Sequence, residues 1–298
     1  MSAPSSTLFT APPEWHWLII FYFFLGGIAG GAYVLGALMD LFGGPQQRPL
    51  ARLAYLVAFP LTVVCGLLLT ADLRRPLRFW HMMLQSATWR PMLKTYSPMS
   101  FGAWGLLVFG GFAFLSFLGA LADGGRRRGF AFLRPPAPIG VIVSVLGGVA
   151  GFFLVSYTGV LLAVTNRPIW SDTTLLGAVF LVSSASTSIA LLLLLGSSRG
   201  FLVGGLKALQ RFDMTVLVLE LLTLAALVVS LGSLARVWLN AWGALLVLGV
   251  VGIGIVVPLL LHVGAHTPVS PTARLAAVLV LLGGFLLRVV IVLSSEAI

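Results

Sequence analysis

Residues 53–81 read LAYLVAFPLTVVCGLLLTA and then, without a break, DLRRPLRFWH. The first part carries no charge, and at a rise of ~1.5 Å per residue it is long enough as a helix to cross nearly all of a ~30 Å hydrocarbon layer. The second part gathers Asp72, Arg74, Arg75, Arg78 and His81 in a chain that is only 9% charged. An uncharged run ending in a dense charged cluster reads as a membrane-spanning helix that has reached water. Two questions follow: how many such spans the chain has, and what the charge at the end of this one does.

The chain has 298 residues, 59% of them apolar, and a mean hydropathy of +1.07. One soluble core cannot absorb that much apolar surface, so the fold class is an all-α integral membrane protein. The first fourteen residues lack a basic start and the apolar run from Trp15 is too long for a leader, so no cleavable signal peptide is expected. The net charge of +10 is first a matter of topology and of contact with lipid headgroups, not of nucleic-acid binding. The single cysteine, Cys65, lies mid-span, where it can neither close an intrachain disulfide nor hold an iron–sulfur cluster alone. No CxxCH occurs, so covalent haem is not expected.

Eight segments meet the ~20-residue requirement of a spanning helix: about 15–41, 53–71, 98–121, 138–165, 173–196, 213–235, 239–263 and 273–294. Turn and charge signals divide them: GGPQQRP (43–49), DGGRRRG (123–129), RPPAP (134–138), NRP (166–168) and TPVSP (267–271). The chain therefore reads as one polytopic domain, 1–298. It has an N-terminal segment at 1–14, four helices within 15–165 and four within 173–294, grouped as two four-helix bundles.

Basic residues choose the faces. Loops after the first, third, fifth and seventh spans carry Arg48, Arg52, Arg126, Arg127, Arg128, Arg134, Arg199, Lys207, Arg211 and Arg274. The other face carries Arg74, Arg75, Arg78, Arg90, Lys94, Arg167 and Arg236, of which five fall in the loop 72–97. Without that loop the ratio is ten to two, and the positive-inside rule puts both termini outside the cytoplasm. The loop 72–97 is then basic on the wrong side, which topology does not explain. As a helix-end anchor, Asp72 would pair with Arg74 or Arg75, and Arg78, Trp80 and His81 would sit among headgroups. The misplaced charge favours instead a docking surface or an anionic site.

Other polar groups fall on the same outer face. His16 stands between Trp15 and Trp17, and Tyr22 lies ~10 Å further in along the first helix. Tyr157 and Thr158 sit about two turns from the end of the fourth, before the polar loop TNRPIWSD (165–172). Singly, such tyrosines are more often interfacial belt residues. Together with His16, His81, Asp72 and Arg75, they form the hydrogen-bonding, apolar-walled pocket that a quinone headgroup requires. Two ionisable groups lie inside spans: Glu220, seven residues after Asp213, and Arg288, deep in the eighth helix. Intramembrane charge points to function, here a proton path through Asp213, Glu220 and Arg288; a structural ion pair is the plain alternative. Asp40 and His262 are weaker candidates for a half-channel with Asp213 and Glu220. His262 and His266, four residues apart at a helix end, do not make a transmembrane haem or metal site. Gly26/Gly30, Gly27/Gly31 and Gly147/Gly151 are small-xxx-small pairs that permit close helix packing.

Several blocks resemble the NrfD/polysulfide reductase membrane-subunit family over nearly the whole chain. They are Trp15-His-Trp with GGIAGGAY (26–33), DLRRPLRFWH (72–81), SPMSFGAWG (97–105), YTGVLLAVTNRPIWSDT (157–173), the glutamate of the sixth helix and LGGFLLR (282–288). Where the family commonly reads Asp-Leu-Gly-Arg-Pro, this chain has Arg74 for the glycine. Where the polysulfide reductase branch places a quinone-contacting Asn and His on the first helix, Ile19 and Tyr22 stand here, while Tyr157 matches the family's quinone-contacting tyrosine. The resemblance implies an eight-helix, haem-free and metal-free anchor in a bacterial or archaeal cytoplasmic membrane. It would react with menaquinone or ubiquinone beneath an extracytoplasmic iron–sulfur subunit, often with a molybdopterin catalytic subunit. Asp72, His81 and Tyr157 would then handle protons, His16, Tyr22, Asp72, Arg75 and Tyr157 would line the quinone, and Arg74, Arg78, Arg90 and Lys94 would dock the partner. The chain would not itself act on the terminal substrate. The competing class is a transporter or channel without a redox role. Matched, broken helices would favour it, and only Pro60 and Pro258 interrupt spans.

Overall fold

The computed structural model describes residues 15–122, 128–199, 203–264 and 267–296. The segment 1–14, Arg126, Arg127 and His266 lie outside these residues. Among the described residues, eight helices are long and apolar enough to cross a membrane. They are α1 (Trp17–Phe42), α2 (Arg48–Asp72), α3 (Pro98–Ala122), α4 (Pro138–Ala163), α5 (Leu176–Ser198), α6 (Val203–Leu231), α7 (Ala241–Gly264) and α8 (Pro271–Glu296). Proline begins α3, α4 and α8, where its missing N–H is no loss. Short 3₁₀ turns extend the ends: Pro76–Met82 after α2, Arg128–Leu133 before α4 and Gly232–Trp238 after α6.

Two boundaries differ from the sequence reading. α2 begins at Arg48 instead of near 53, and α6 at Val203 instead of near 213. Charged residues at an interface do not stop a helix when its buried face continues. Here Leu206, Leu209, Gln210 and Asp213 supply that face while Lys207 and Arg211 stay exposed. Asp213 therefore sits about three turns inside α6 and does not open it.

α1 and α5 are the most enclosed spans together with α8. α1 packs on α2, α4 and α5, and α5 in turn on α4, α6 and α8. Glycine makes the closest crossings possible. A methyl group on Gly30 would lie 2.9 Å from the Gly151 carbonyl of α4, and one on Gly31 would lie 2.9 Å from the Ser184 carbonyl of α5. In α7 the twelve residues Leu245–Val256 form a wide π-helical stretch just before Pro258, whose ring lacks the N–H that a regular helix would use there. Gly254 of that stretch meets Gly283 of α8 backbone to backbone.

The end of the bundle at which α1 begins is closed by the loop after α4. Trp170 is fully buried, its indole nitrogen donates to the Ile291 carbonyl at 2.7 Å, and its ring stacks on Trp15 at 5.2 Å. Arg167 lies over the Trp170 ring and donates to the Ser295 carbonyl at 3.3 Å. Ile169 is held at φ 70°, a strained setting for a β-branched residue, and its N–H donates to Asp172 Oδ2 at 3.0 Å. A segment that reads as short and polar thus folds inward as a plug.

Candidate functional site

Three groups of polar residues stand out, and the sequence candidates divide among them. The first is the surface formed by the segment after α2. Asp72, Arg74, Arg75, Arg78, Arg90 and Lys94 are all exposed. Asp72 forms no ion pair among the described residues, so the expected pairing with Arg74 or Arg75 is absent. His81 is half-buried, stacked 3.8 Å from Trp80, with Nδ1 3.2 Å from the Arg78 carbonyl. Trp80 stacks in turn on Trp89 at 5.6 Å. Leu77, Phe79, Trp89, Leu93 and Tyr96 stand exposed between the cations. His16 is exposed at the start of α1.

The second group lies inside α1–α4, towards the end at which α1 begins. Tyr157 of α4 is buried against Gly102 of α3, where any side chain would collide with its ring, and its hydroxyl donates to the Pro98 carbonyl at 2.6 Å. Tyr22 of α1 is only 3% exposed and shares this interior with Cys65 of α2 and with Tyr157. A methyl group on Gly26 would stand 3.6 Å from both the Tyr22 ring and Cys65 Sγ. Among the described residues the Tyr22 hydroxyl has no hydrogen-bond partner. This hydroxyl therefore has donor and acceptor capacity to offer a ligand. Tyr22 and Tyr157 are both buried and near enough to interact electrostatically, whereas Asp72, Arg75 and His16 stay at the surface.

The third group is a polar column through α5, α6, α7 and α8. Arg288 is fully buried. Its Nη1 donates to Ser183 Oγ at 2.5 Å and to the Gly284 carbonyl at 2.8 Å, and its Nη2 donates to Ser184 Oγ at 2.8 Å. The guanidinium also lies 5.2 Å from the centre of the Phe180 ring, within cation–π range. Glu220 accepts from Ser186 Oγ at 2.7 Å. Glu220 and Arg288 make no direct ion pair among the described residues; Ser183 stands between them. Two turns along α6, on the same face, the carboxylate of Asp213 meets His262. The Gln210 side-chain nitrogen and His262 Nδ1 are 3.1 Å apart, and His262 Nε2 and Asp213 Oδ2 are 3.0 Å apart. With the amide nitrogen as donor, Nδ1 accepts and Nε2 carries the proton shared with Asp213. Asp213 Oδ1 is buried with no partner among the described residues.

Asp40 does not join this column. It forms a two-point ion pair with Arg134, at 2.9 and 3.1 Å, on the opposite flank. The serine-rich face of α5, with Ser183, Ser184, Ser186, Thr187 and Ser188 all fully buried, was not among the sequence candidates. Its signal was five hydroxyl residues within six positions of an apolar span. His262, a weak candidate, lies at the centre of the hydrogen-bonded triad.

Comparison with known proteins gives consistent results. The family model described as "Polysulphide reductase, NrfD" matches residues 8–298. One of the polysulfide reductase chains of Wolinella succinogenes is 30% identical over 316 residues, spanning 95% of the present sequence and 94% of its own. A protein described as an NrfD homolog from Haemophilus influenzae is 27% identical over 315 residues, again spanning 95% and 94%. One of the selenate reductase subunits of Mesobacillus selenatarsenatis is 33% identical over 73 residues, which are 24% of the present sequence and 17% of its own.

Proposed function

Because this multi-pass membrane chain belongs to the polysulphide reductase NrfD family, we propose that it is the quinone-reactive anchor of a respiratory oxidoreductase complex. It exchanges electrons between the membrane quinone pool and an iron–sulfur subunit docked on the face that carries loop 72–97, and the complex is completed by a molybdopterin subunit. The face is extracytoplasmic by the distribution of basic residues. The membrane is then the cytoplasmic membrane of a bacterium or archaeon.

One observation carries the reading: Tyr22, a buried residue whose hydroxyl has no hydrogen-bond partner among the described residues, lies near Tyr157. A quinone headgroup has two carbonyls to accept hydrogen bonds and an apolar ring and tail, so it matches phenolic donors in an apolar wall. Tyr22 donates to one carbonyl, and Tyr157 to the other once its hydroxyl turns from the Pro98 carbonyl. The quinone supplies two-electron, two-proton redox chemistry when bound. The protein binds it, excludes bulk water and conducts protons. Asp72 and His81, at the outer mouth, exchange protons with the aqueous phase. The exposed strip of arginines with Leu77, Phe79 and Trp89 between them suits an acidic partner surface, because aromatic and arginine residues dominate interface energies.

The polar column supports proton translocation as a second element of the same function. It offers Asp213, His262, Glu220 and the α5 hydroxyls on one side of the protein, and Arg288 at its end holds the serines in place. A transporter without redox activity finds less support, since among the described residues α7 alone is irregular and no matched helix of the first half is broken.

The test is quinol-dependent electron transfer in the purified complex. Tyr157→Phe and Asp72→Asn are each expected to lower turnover by ~10²-fold or more while the subunits still assemble. Full turnover in both variants removes the site assignment.

A further inference from the structure

The proton path through Asp213, His262 and Glu220 leaves one buried polar side chain without a task, Gln210. It stands seven residues into α6, ~10 Å along the helix from its start, and is only 6% exposed. Its side-chain nitrogen lies 3.1 Å from His262 Nδ1, while Asp213 Oδ2 lies 3.0 Å from Nε2. Gln210 and Asp213, three residues apart on one face of α6, thus hold both nitrogens of one imidazole. His262 is the only ionisable side chain in 241–264. It sits in the regular turns Val257–Gly264 that follow the π-helical stretch of α7, where α7 packs on α6 and α8. Among the described residues Asp213 is its one ion-pair partner. The other charges of those two helices are occupied or face outwards. Lys207 and Arg211 are exposed, Arg274 donates to the Ser197 carbonyl at 3.3 Å, and Arg288 and Glu220 are bonded to serines of α5.

We propose that Gln210 is a positioning residue that sets how many protons His262 carries, and that the pair is the loading point of the polar column. This role rests on the proton-translocation reading. The physical basis is the amide itself, which has a donor at one end and an acceptor at the other in nearly the same volume. Turned one way, its N–H donates to a bare Nδ1, and the ring is neutral with its one proton on Nε2. Turned by half, its oxygen accepts from Nδ1–H, and the ring is an imidazolium whose charge the Asp213 carboxylate balances. A neighbour that only donates would refuse the second proton, and one that only accepts would retain it, because a buried ring nitrogen without a matching partner is costly. Glutamine serves both states without displacing a helix. Uptake adds one proton to the Nδ1 lone pair. A proton leaving from Nε2 passes to the Asp213 carboxylate, which becomes a neutral acid, and the ring keeps the proton on Nδ1. Asp213 Oδ1 is buried with no partner among the described residues, so it is open to a water or to the next group of the column. Glu220 follows two turns along the same face of α6. The triad is nearer the start of α6 than Glu220 is, so it stands between that face of the membrane and its middle.

The experiment is solid-state NMR of the ¹⁵N-histidine-labelled protein in lipid bilayers, with the His262 signals assigned by their loss in His262→Gln. It is paired with the proton-to-electron ratio of the assembled complex in liposomes. At neutral pH the wild type is expected to show His262 with Nε2 protonated and Nδ1 bare and hydrogen-bonded. Gln210→Glu keeps the length of the side chain and its bridge to α7, but as a carboxylate it only accepts. His262 is then expected to hold both protons, and translocation to be lost while quinol-dependent electron transfer continues. In Gln210→Met the Nδ1 signal is expected to lose its hydrogen-bond shift, again with loss of translocation. A Gln210 that merely braces α6 against α7 predicts unchanged ring protonation in Gln210→Glu. That result overturns the proposal, and so does a full proton-to-electron ratio in both variants. A wild type that translocates no protons refutes the proton-path reading; the doubly protonated ring in Gln210→Glu then still supports Gln210 as the residue that sets its state, and an unchanged ring overturns that too.

Discussion

Ser183 stands between Arg288 and Glu220, which do not touch, and the charge coupling this arrangement predicts can be measured. In Arg288→Met the guanidinium that holds Ser183 and Ser184 is gone, and Glu220 remains a buried carboxyl beside them. In Glu220→Gln the buried guanidinium keeps its serine and carbonyl contacts but loses its nearest opposite charge. Removing one partner of a buried charge pair costs about 3–5 kcal/mol; with Ser183 between them, the lower end, ~3 kcal/mol, applies to each single variant. The double variant leaves no unbalanced charge, so its loss is expected to match the larger single loss and not the sum. A coupling energy of ~2–3 kcal/mol follows. At roughly 2–4 °C per kcal/mol, each single variant lowers the apparent Tm by about 6–12 °C, and the double variant by no more. The assay is thermal unfolding of the detergent-solubilised protein at one fixed scan rate. Losses that simply add would refute the view that Ser183 transmits charge between the two groups.

Two further outcomes follow from the same geometry. If the polar column conducts protons, Glu220→Gln in liposomes lowers the proton-to-electron ratio while electron transfer continues; an unchanged ratio refutes translocation along Asp213, Glu220 and Arg288. Trp170→Ala removes a fully buried indole with its bond to Ile291 and its stack on Trp15. It is expected to destabilise by about 3–5 kcal/mol and to raise protease cleavage within 165–173, whereas unchanged cleavage would show that the loop is not a plug.

Eight spans were legible because length and hydropathy suffice to mark them, and the glycine pairs predicted close packing that Gly30 and Gly31 show at α4 and α5. The start of α6 was hidden because Lys207 and Arg211 look like loop residues, although an amphipathic turn carries them on its outer side. The α5 hydroxyls escaped notice for a related reason. Serine and threonine in a helix bond to their own preceding carbonyls, as Thr187 and Ser188 do here, so they scarcely interrupt an apolar pattern. The meeting of His262 with Asp213 depends on the rotation of α6 and α7 about their axes, which no pattern within one sequence fixes. Asp40 shows the converse: the residue type suggested a proton path, and Arg134 had already claimed it. At the proposed quinone compartment both Tyr22 and Tyr157 could be named from the sequence; that both are buried, and that only Tyr157 has a hydrogen-bond partner among the described residues, is visible in three dimensions alone.

The most direct test of the account is a structure of the assembled complex with a bound quinone or a non-reducible quinol analogue. The account predicts a headgroup within hydrogen-bond distance, about 2.5–3.0 Å between oxygens, of the hydroxyls of Tyr22 and Tyr157. A headgroup seated elsewhere, with both hydroxyls out of reach, would contradict it.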